Sequence, residues 1–250
     1  MPNTSLGRKI IVALDVPTGK EALSLVQTLS EAQIFKVGFT LFVSEGPSLL
    51  QKMQRHGKKI FLDLKLHDIP HQIAGAVKAG TRHGIHMMTL HSSGGREMMR
   101  KAAEAAEQEA QQTGLTKPLL LAVTVLTSLK GDQLREIGMD DNVNEQVLRL
   151  ASLAKKSGMD GVVCSPQEID LIKKEFGQDF IVVSPGIRPS WSAAQDQKRI
   201  LTPKEALKKG VDYMVIGRPI TKAASPSEAF LNIVDELNRA VDSSDCKNGA

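Results

Sequence analysis

Short runs of β-branched and aliphatic residues recur along the chain, each followed by a longer stretch whose apolar residues fall at helical spacing. The runs are Ile10–Asp15, Ile34–Gly38, Lys59–Lys65, Ile85–His91, Leu119–Val125, Gly161–Ser165, Phe180–Ser184 and Tyr213–Gly217, and each reads as a strand. Between them, helical phase is visible from about Lys20 to Ala32, in Ile73/Val77, in the Ala-rich Arg96–Gln112, in Val147/Leu150/Ala154 and in Phe230/Val234/Leu237.

Eight strand–helix units with no linker-like Pro/Ser tract between them predict an α/β fold, a single (β/α)8 TIM barrel spanning residues 1–250. Its active site is expected at the C-terminal face of the strands. An open doubly wound sheet is the alternative architecture. Residues 1–8 and 241–250 are short on apolar groups and are expected as frayed tails. The long irregular stretch from Gly186 to about Thr202 is a candidate lid.

Composition sharpens this picture. Apolar residues make up 41% of the chain and aromatics only 4%, so the core is one of Val, Ile, Leu and Ala. The net charge of +4 comes from 32 basic and 28 acidic residues scattered without a basic stripe, which argues against nucleic acid as a partner. The two cysteines, Cys164 and Cys246, form neither a metal spacing nor a disulfide framework. Met1–Lys9 lacks the apolar run of a signal peptide, and no segment approaches the roughly 20 apolar residues of a membrane span. A cytoplasmic protein without a membrane partner is expected.

Candidate chemistry concentrates in Phe61-Leu-Asp-Leu-Lys-Leu-His-Asp-Ile-Pro70. Strand periodicity sets Phe61, Asp63 and Lys65 on one face and Leu62, Leu64 and Leu66 on the other. With the leucines toward the helices, Asp63 and Lys65 point into the barrel near its catalytic end, where a buried charge needs a partner. Taken alone, the pair reads first as a structural salt bridge at the barrel mouth. It is not alone: Asp15 closes the first strand, Lys36 lies in the second, and Asp68 follows Lys65 by three residues. Asp68 also reads as a helix N-cap ahead of Pro70. Lysines held among carboxylates are proton donors, and the carboxylates repel a substrate carboxylate about to leave. That arrangement suits decarboxylation through a carbanion that is then quenched.

A second constellation suits phosphate. Ser184-Pro-Gly-Ile-Arg188 follows the seventh strand and Ile216-Gly-Arg-Pro219 the eighth, where barrels commonly hold phosphate on backbone N–H groups and an added cation. Each Gly–Arg alone is an ordinary turn. Together they mark a binding end.

Five segments carry a family resemblance: Asp63–Pro70, Leu126–Ser128, Pro185–Arg188, Asp196–Arg199 and Gly217–Ile220. With these, the chain resembles bacterial orotidine 5′-monophosphate decarboxylases from about Ile10 to Leu237. The resemblance implies cofactor-free conversion of orotidine 5′-monophosphate to UMP, the last step of de novo UMP biosynthesis, with no metal. It implies Lys65 as proton donor to C6 of the pyrimidine, Asp63 against the substrate carboxylate, and Lys36 bridging the array and the ribose. Asp15 is implied on a ribose hydroxyl, Thr127 on the base, and Arg188, Gln197, Gly217 and Arg218 on the phosphate. It further implies a homodimer in which Asp68 reaches the neighbouring active site. One departure is His71-Gln72 where relatives often carry Asn-Thr, so Gln72 stands where the family makes a ribose contact across the interface.

Rival readings are a magnesium-dependent sugar-phosphate decarboxylase or aldolase of the same barrel superfamily, and a non-catalytic phosphate-binding barrel. The magnesium enzymes use a glutamate in the second-strand region, where this chain offers Lys36, a residue that repels a divalent cation. A zinc site on His67 and His71 is disfavoured because Pro70 starts the helix there and no glutamate base lies between them.

Overall fold

Residues 6–192 and 201–245 are described by the structure, a computed structural model. Strand β1 (Ile10–Ala13) is followed by α1 (Gly19–Thr28), β2 (Ile34–Gly38), α2 (Phe39–Glu45), α3 (Pro47–Arg55), β3 (Lys59–Leu66) and α4 (Pro70–Arg82). Then come β4 (Met87–His91), α5 (Gly95–Thr113), β5 (Leu119–Val123), α6 (Gly131–Glu136), α7 (Val143–Lys156), β6 (Gly161–Val163) and α8 (Ile169–Phe176). The chain ends through β7 (Ile181–Pro185), α9 (Pro203–Lys208), β8 (Tyr213–Ile216), α10 (Arg218–Thr221) and α11 (Pro226–Asp245).

All neighbouring strands pair in parallel, and β8 pairs with β1 to close the barrel. The fold is therefore the (β/α)8 barrel, and the open-sheet alternative is excluded by that closure. Each predicted strand is present, displaced by at most two residues at either end. Pairing stops at Ala13 and Val163 because the chain swings away toward the loops, which leaves Asp15 at the mouth rather than within β1.

Strands buried on both faces are expected where helices cover a parallel sheet, and two apolar clusters show this. Ile11, Ala13, Ile34, Phe61, Met87, Leu121, Val183 and Val215 fill the barrel interior. Ile10, Val12, Phe35, Val37, Ile60 and Leu62, from alternate positions, pack outward against helices. Full burial of a Leu or Ile side chain contributes about 1.5–3 kcal/mol.

Three connections hold one helix more than the eight strand–helix units predict. Both α2 and α3 lie between β2 and β3, α6 precedes α7, and α10 precedes α11. Helix α1 also stops at Thr28, short of Ala32, where Leu29 leaves helical geometry with its N–H still bonded to Leu25 O. Among the described residues, no helix is long and apolar enough to cross a membrane.

Candidate active site

Register places the key side chains. Lys36 pairs with Ala13 on β1 and Phe61 on β3, both interior residues, so Lys36 shares their face. Asp63 lies two residues beyond Phe61 on that face and is 9% exposed. Thr89 on β4, fully buried, pairs with the interior Leu121.

Lys36 Nζ donates to Asp15 Oδ1 at 2.9 Å and stands 3.8 Å from Asp63 Oδ2. Lys65 Nζ donates to the same Asp63 Oδ2 at 2.8 Å. Asp15, Lys36, Asp63 and Lys65 thus form one chain of alternating sign. It runs from exposed Asp15 to the nearly buried Asp63, and as it does so the screening of each charge by water weakens.

Strand β3 is not the regular ladder that period-two spacing predicts. Its register with β4 jumps from Leu62↔Met88 to Leu66↔Leu90, and Lys65 has φ +42°. Among the described residues it is the one non-glycine with positive φ. Such a backbone costs on the order of 1–3 kcal/mol and persists only where surroundings enforce it. Here Lys65 N–H donates to Thr89 Oγ1 at 2.8 Å, and the Thr89 hydroxyl donates to Asp63 Oδ1 at 2.9 Å.

The array opens into a cleft of about 300 Å³. Asp15, Lys36, Asp63, Lys65, Thr127, Arg188, Gly217 and Arg218 all line it, so eight of the expected site residues meet in one place. Apolar walls come from Phe61, Val163, Ile187 and Val215. Gly186 turns the chain after β7 with φ +80°, a conformation glycine adopts without strain. Beyond it, Arg188 is buried and its N–H donates to Leu201 O at 2.9 Å. Gly217 lies against Ala13 and Asp15 at the cleft, where a Cβ would stand 3.4 Å from Ala13 Cβ. A larger hollow of about 540 Å³, lined by Trp191, Lys204, Glu236 and Arg239 among others, shares no residue with the array.

Two expected residues stand apart. Asp68 is exposed, lines neither hollow, and accepts from Ile69 N–H at 2.6 Å. It does not join the other carboxylates within the chain. Nor does it cap α4: the cap position is Ile69, whose aliphatic side chain has no acceptor, and Gln72 N–H donates to Ile69 O at 3.1 Å. Gln197 and the rest of Asp196–Arg199 lie outside the described residues. Gln72 is exposed in the first turn of α4.

His67 faces His91, ring centroids 5.4 Å apart, rather than forming a pair with His71. Burial, with help from His67 and Lys65, holds the His91 imidazole below its ordinary value, against the opposing pull of Asp63. Among the described residues, no three His, Cys, Asp or Glu side chains gather as metal ligands. Thr89 escaped the sequence reading. The signal for it was a hydroxyl at an inward position of an otherwise aliphatic strand, one strand over from Asp63.

The geometry defines the chain as a (β/α)8 barrel with an alternating Asp/Lys charge array and two arginines in one cleft at the C-terminal ends of its strands. The model of the orotidine 5′-phosphate decarboxylase / HUMPS family matches residues 8–233, and the chain belongs to that family. Orotidine 5′-phosphate decarboxylase of Nostoc sp. is 47% identical over 93% of this chain and 98% of that protein. The Trichlorobacter lovleyi enzyme of the same name is 50% identical, covering 92% of this chain and 95% of its own length. The crystal structure of orotidine 5′-phosphate decarboxylase from Lactobacillus acidophilus superposes with a TM-score of 0.82 at 40% identity, covering 92% of this chain and 99% of that one.

Proposed function

We propose that this chain decarboxylates orotidine 5′-monophosphate to UMP, the last step of de novo UMP biosynthesis, without a cofactor. The observation that carries the reading is the Asp15–Lys36–Asp63–Lys65 chain in one cleft with Arg188 and Arg218. In this reading the phosphate lies on the two arginines and the Gly217 backbone, with Gln197 added from the loop. Thr127 meets the base and Asp15 a ribose hydroxyl.

Asp63 then sits against the substrate carboxylate, which it repels more strongly than it repels the departing neutral CO2. The bond from C6 to the carboxylate breaks, its electron pair stays on C6, and a proton from Lys65 Nζ moves to that carbon. Lys36 holds Asp63 and Asp15 in place and offsets their charge. Because these groups are fixed before the substrate arrives, little reorganisation is needed as charge develops. The total barrier reduction asked of such a site is on the order of 20 kcal/mol.

We further propose that the enzyme is a homodimer. Phe39 and Val43, 56% and 80% exposed, share a face of α2, and Ile69, 63% exposed, follows the end of β3. Exposed apolar side chains after β2 and β3, with Phe39 also lining the hollow around Asp15 and Lys36, suit burial against a second copy. Asp68, adjacent to Ile69 and outside the cleft of its own chain, would then enter the neighbouring site.

A magnesium-dependent sugar-phosphate activity is the second reading, since the family model covers both branches. Lys36, bonded to Asp15 in the cleft, occupies space a divalent cation would need. The test is the ultraviolet absorbance change when purified protein meets orotidine 5′-monophosphate in chelator. Rapid loss of substrate with formation of UMP is expected. No turnover there, with activity on a sugar phosphate once magnesium is restored, would overturn the proposal.

A further inference from the structure

We infer that the Thr89 hydroxyl is the positioning group that sets both Asp63 and Lys65 for the reaction. A hydroxyl has one proton to give and lone pairs to receive, and at Thr89 both capacities are used on β3. Lys65 N–H donates to Oγ1 at 2.8 Å, and Oγ1 donates to Asp63 Oδ1 at 2.9 Å. The two partners belong to the residue that donates the proton and to the carboxylate set against the leaving group.

The first bond accounts for the Lys65 backbone. Lys59 N–H donates to Gln33 O on the β2 side and Ile60 O accepts from His86 N–H on the β4 side, so in a regular ladder Lys65 would turn its N–H toward β2. The register instead sets four steps of β3, Leu62 to Leu66, against two of β4, Met88 to Leu90, and the Lys65 N–H turns to a side-chain oxygen of β4. That turn accompanies the Lys65 φ of +42°. The turned backbone brings Lys65 Nζ back to Asp63, two residues earlier, at 2.8 Å.

The second bond fixes the carboxylate. With Oδ1 held by Thr89, Oδ2 is the oxygen presented to Lys65 Nζ at 2.8 Å and Lys36 Nζ at 3.8 Å. Rotation of the carboxylate would give up the Thr89 bond. Thr89 is 0% exposed, so bulk water does not take over the hydroxyl's role when it is removed. Loss of the hydroxyl strands a part-buried N–H and a buried carboxylate oxygen together, and the carboxylate recovers a partner only by moving.

Valine matches threonine in shape and lacks both hydrogen-bonding capacities, whereas serine keeps them. Thr89→Val is expected to lower kcat on the order of 100-fold, the effect of misplacing reacting groups by about an ångström. KM should change little, since the phosphate residues sit on other strands. Thr89→Ser should recover kcat to within about tenfold of the parent. Amide exchange at Lys65 should speed up in Thr89→Val and not in Thr89→Ser, a readout that does not depend on activity.

The rate prediction rests on the decarboxylase reading, and the parent assay separates the two. A parent that fails to turn over orotidine 5′-monophosphate overturns that reading, while the exchange comparison still judges Thr89. A competent parent with Thr89→Val at its kcat, or with Val and Ser equally slow, overturns the role of the hydroxyl. If Thr89→Val does not fold, Thr89→Ala replaces it: kcat lost with Ala and kept with Ser supports the inference, and equal rates overturn it.

Discussion

Arg188 and Arg218 follow β7 and β8, whereas the lysines ride on β2 and β3, so in the proposed reading the cleft divides into a phosphate-binding side and a reacting side. Truncating a cation that binds phosphate removes charge-assisted hydrogen bonds worth about 1.5–3 kcal/mol. Arg218→Ala should accordingly lower kcat/KM on the order of 100-fold, with part of the loss restored by added guanidinium. Steady-state kinetics check this, and parent-like values would misplace the phosphate. The charged members of the site were legible in the sequence because a charge on an inward strand position is rare and costly. Thr89 was not, because threonine is an ordinary strand residue and its hydroxyl matters only through the β3–β4 register. The left-handed Lys65 was equally hidden: period-two spacing describes a regular strand, and the irregularity arises from pairing with β4. Asp68 was placed correctly in the motif but not among the other carboxylates, since loop direction is not set by spacing.

Strand β6 shows how an element constrains its neighbour. A Cβ on Gly161 would lie 2.2 Å from Ile181 O and 2.6 Å from Ile181 Cβ, so glycine is what lets β6 approach β7. Gly161→Ala must push the two strands apart, and overpacking of this kind typically costs roughly 1–3 kcal/mol. A lowered midpoint in thermal unfolding is the expected result, and an unchanged midpoint would contradict the close packing. The strands themselves were readable because their apolar runs are short and bounded by turn residues. The additional helices α2, α6 and α10 were not, being 7, 6 and 4 residues long and too short to display a helical period. Helix α2 also leaves Phe39 and Val43 outward, which inverts the pattern by which a helix is recognised.

The whole molecule joins these parts through assembly and pH. Val43→Asp places a charge in the exposed apolar patch, and sedimentation should show a shift toward monomer with activity falling at low protein concentration. Unchanged mass and activity would remove that face from the interface. Burial also holds the imidazoles of both His86 and His91 below the ordinary value of 6.5. The unfolded chain therefore binds more protons than the folded one as pH drops below about 6.5, and stability falls with it. Thermal midpoints should decline from neutral pH into that window, and His91→Gln should lessen the decline. Closure of the barrel, set by β8 against β1, gathers residues from six strands and from the segments after β1, β5, β7 and β8 into one cleft. The most direct measurement compares the parent with Lys65→Ala for turnover of orotidine 5′-monophosphate and for binding of UMP. The account predicts that turnover is abolished while UMP still binds. Near-parent turnover by Lys65→Ala would contradict it and take the proton donor out of the mechanism.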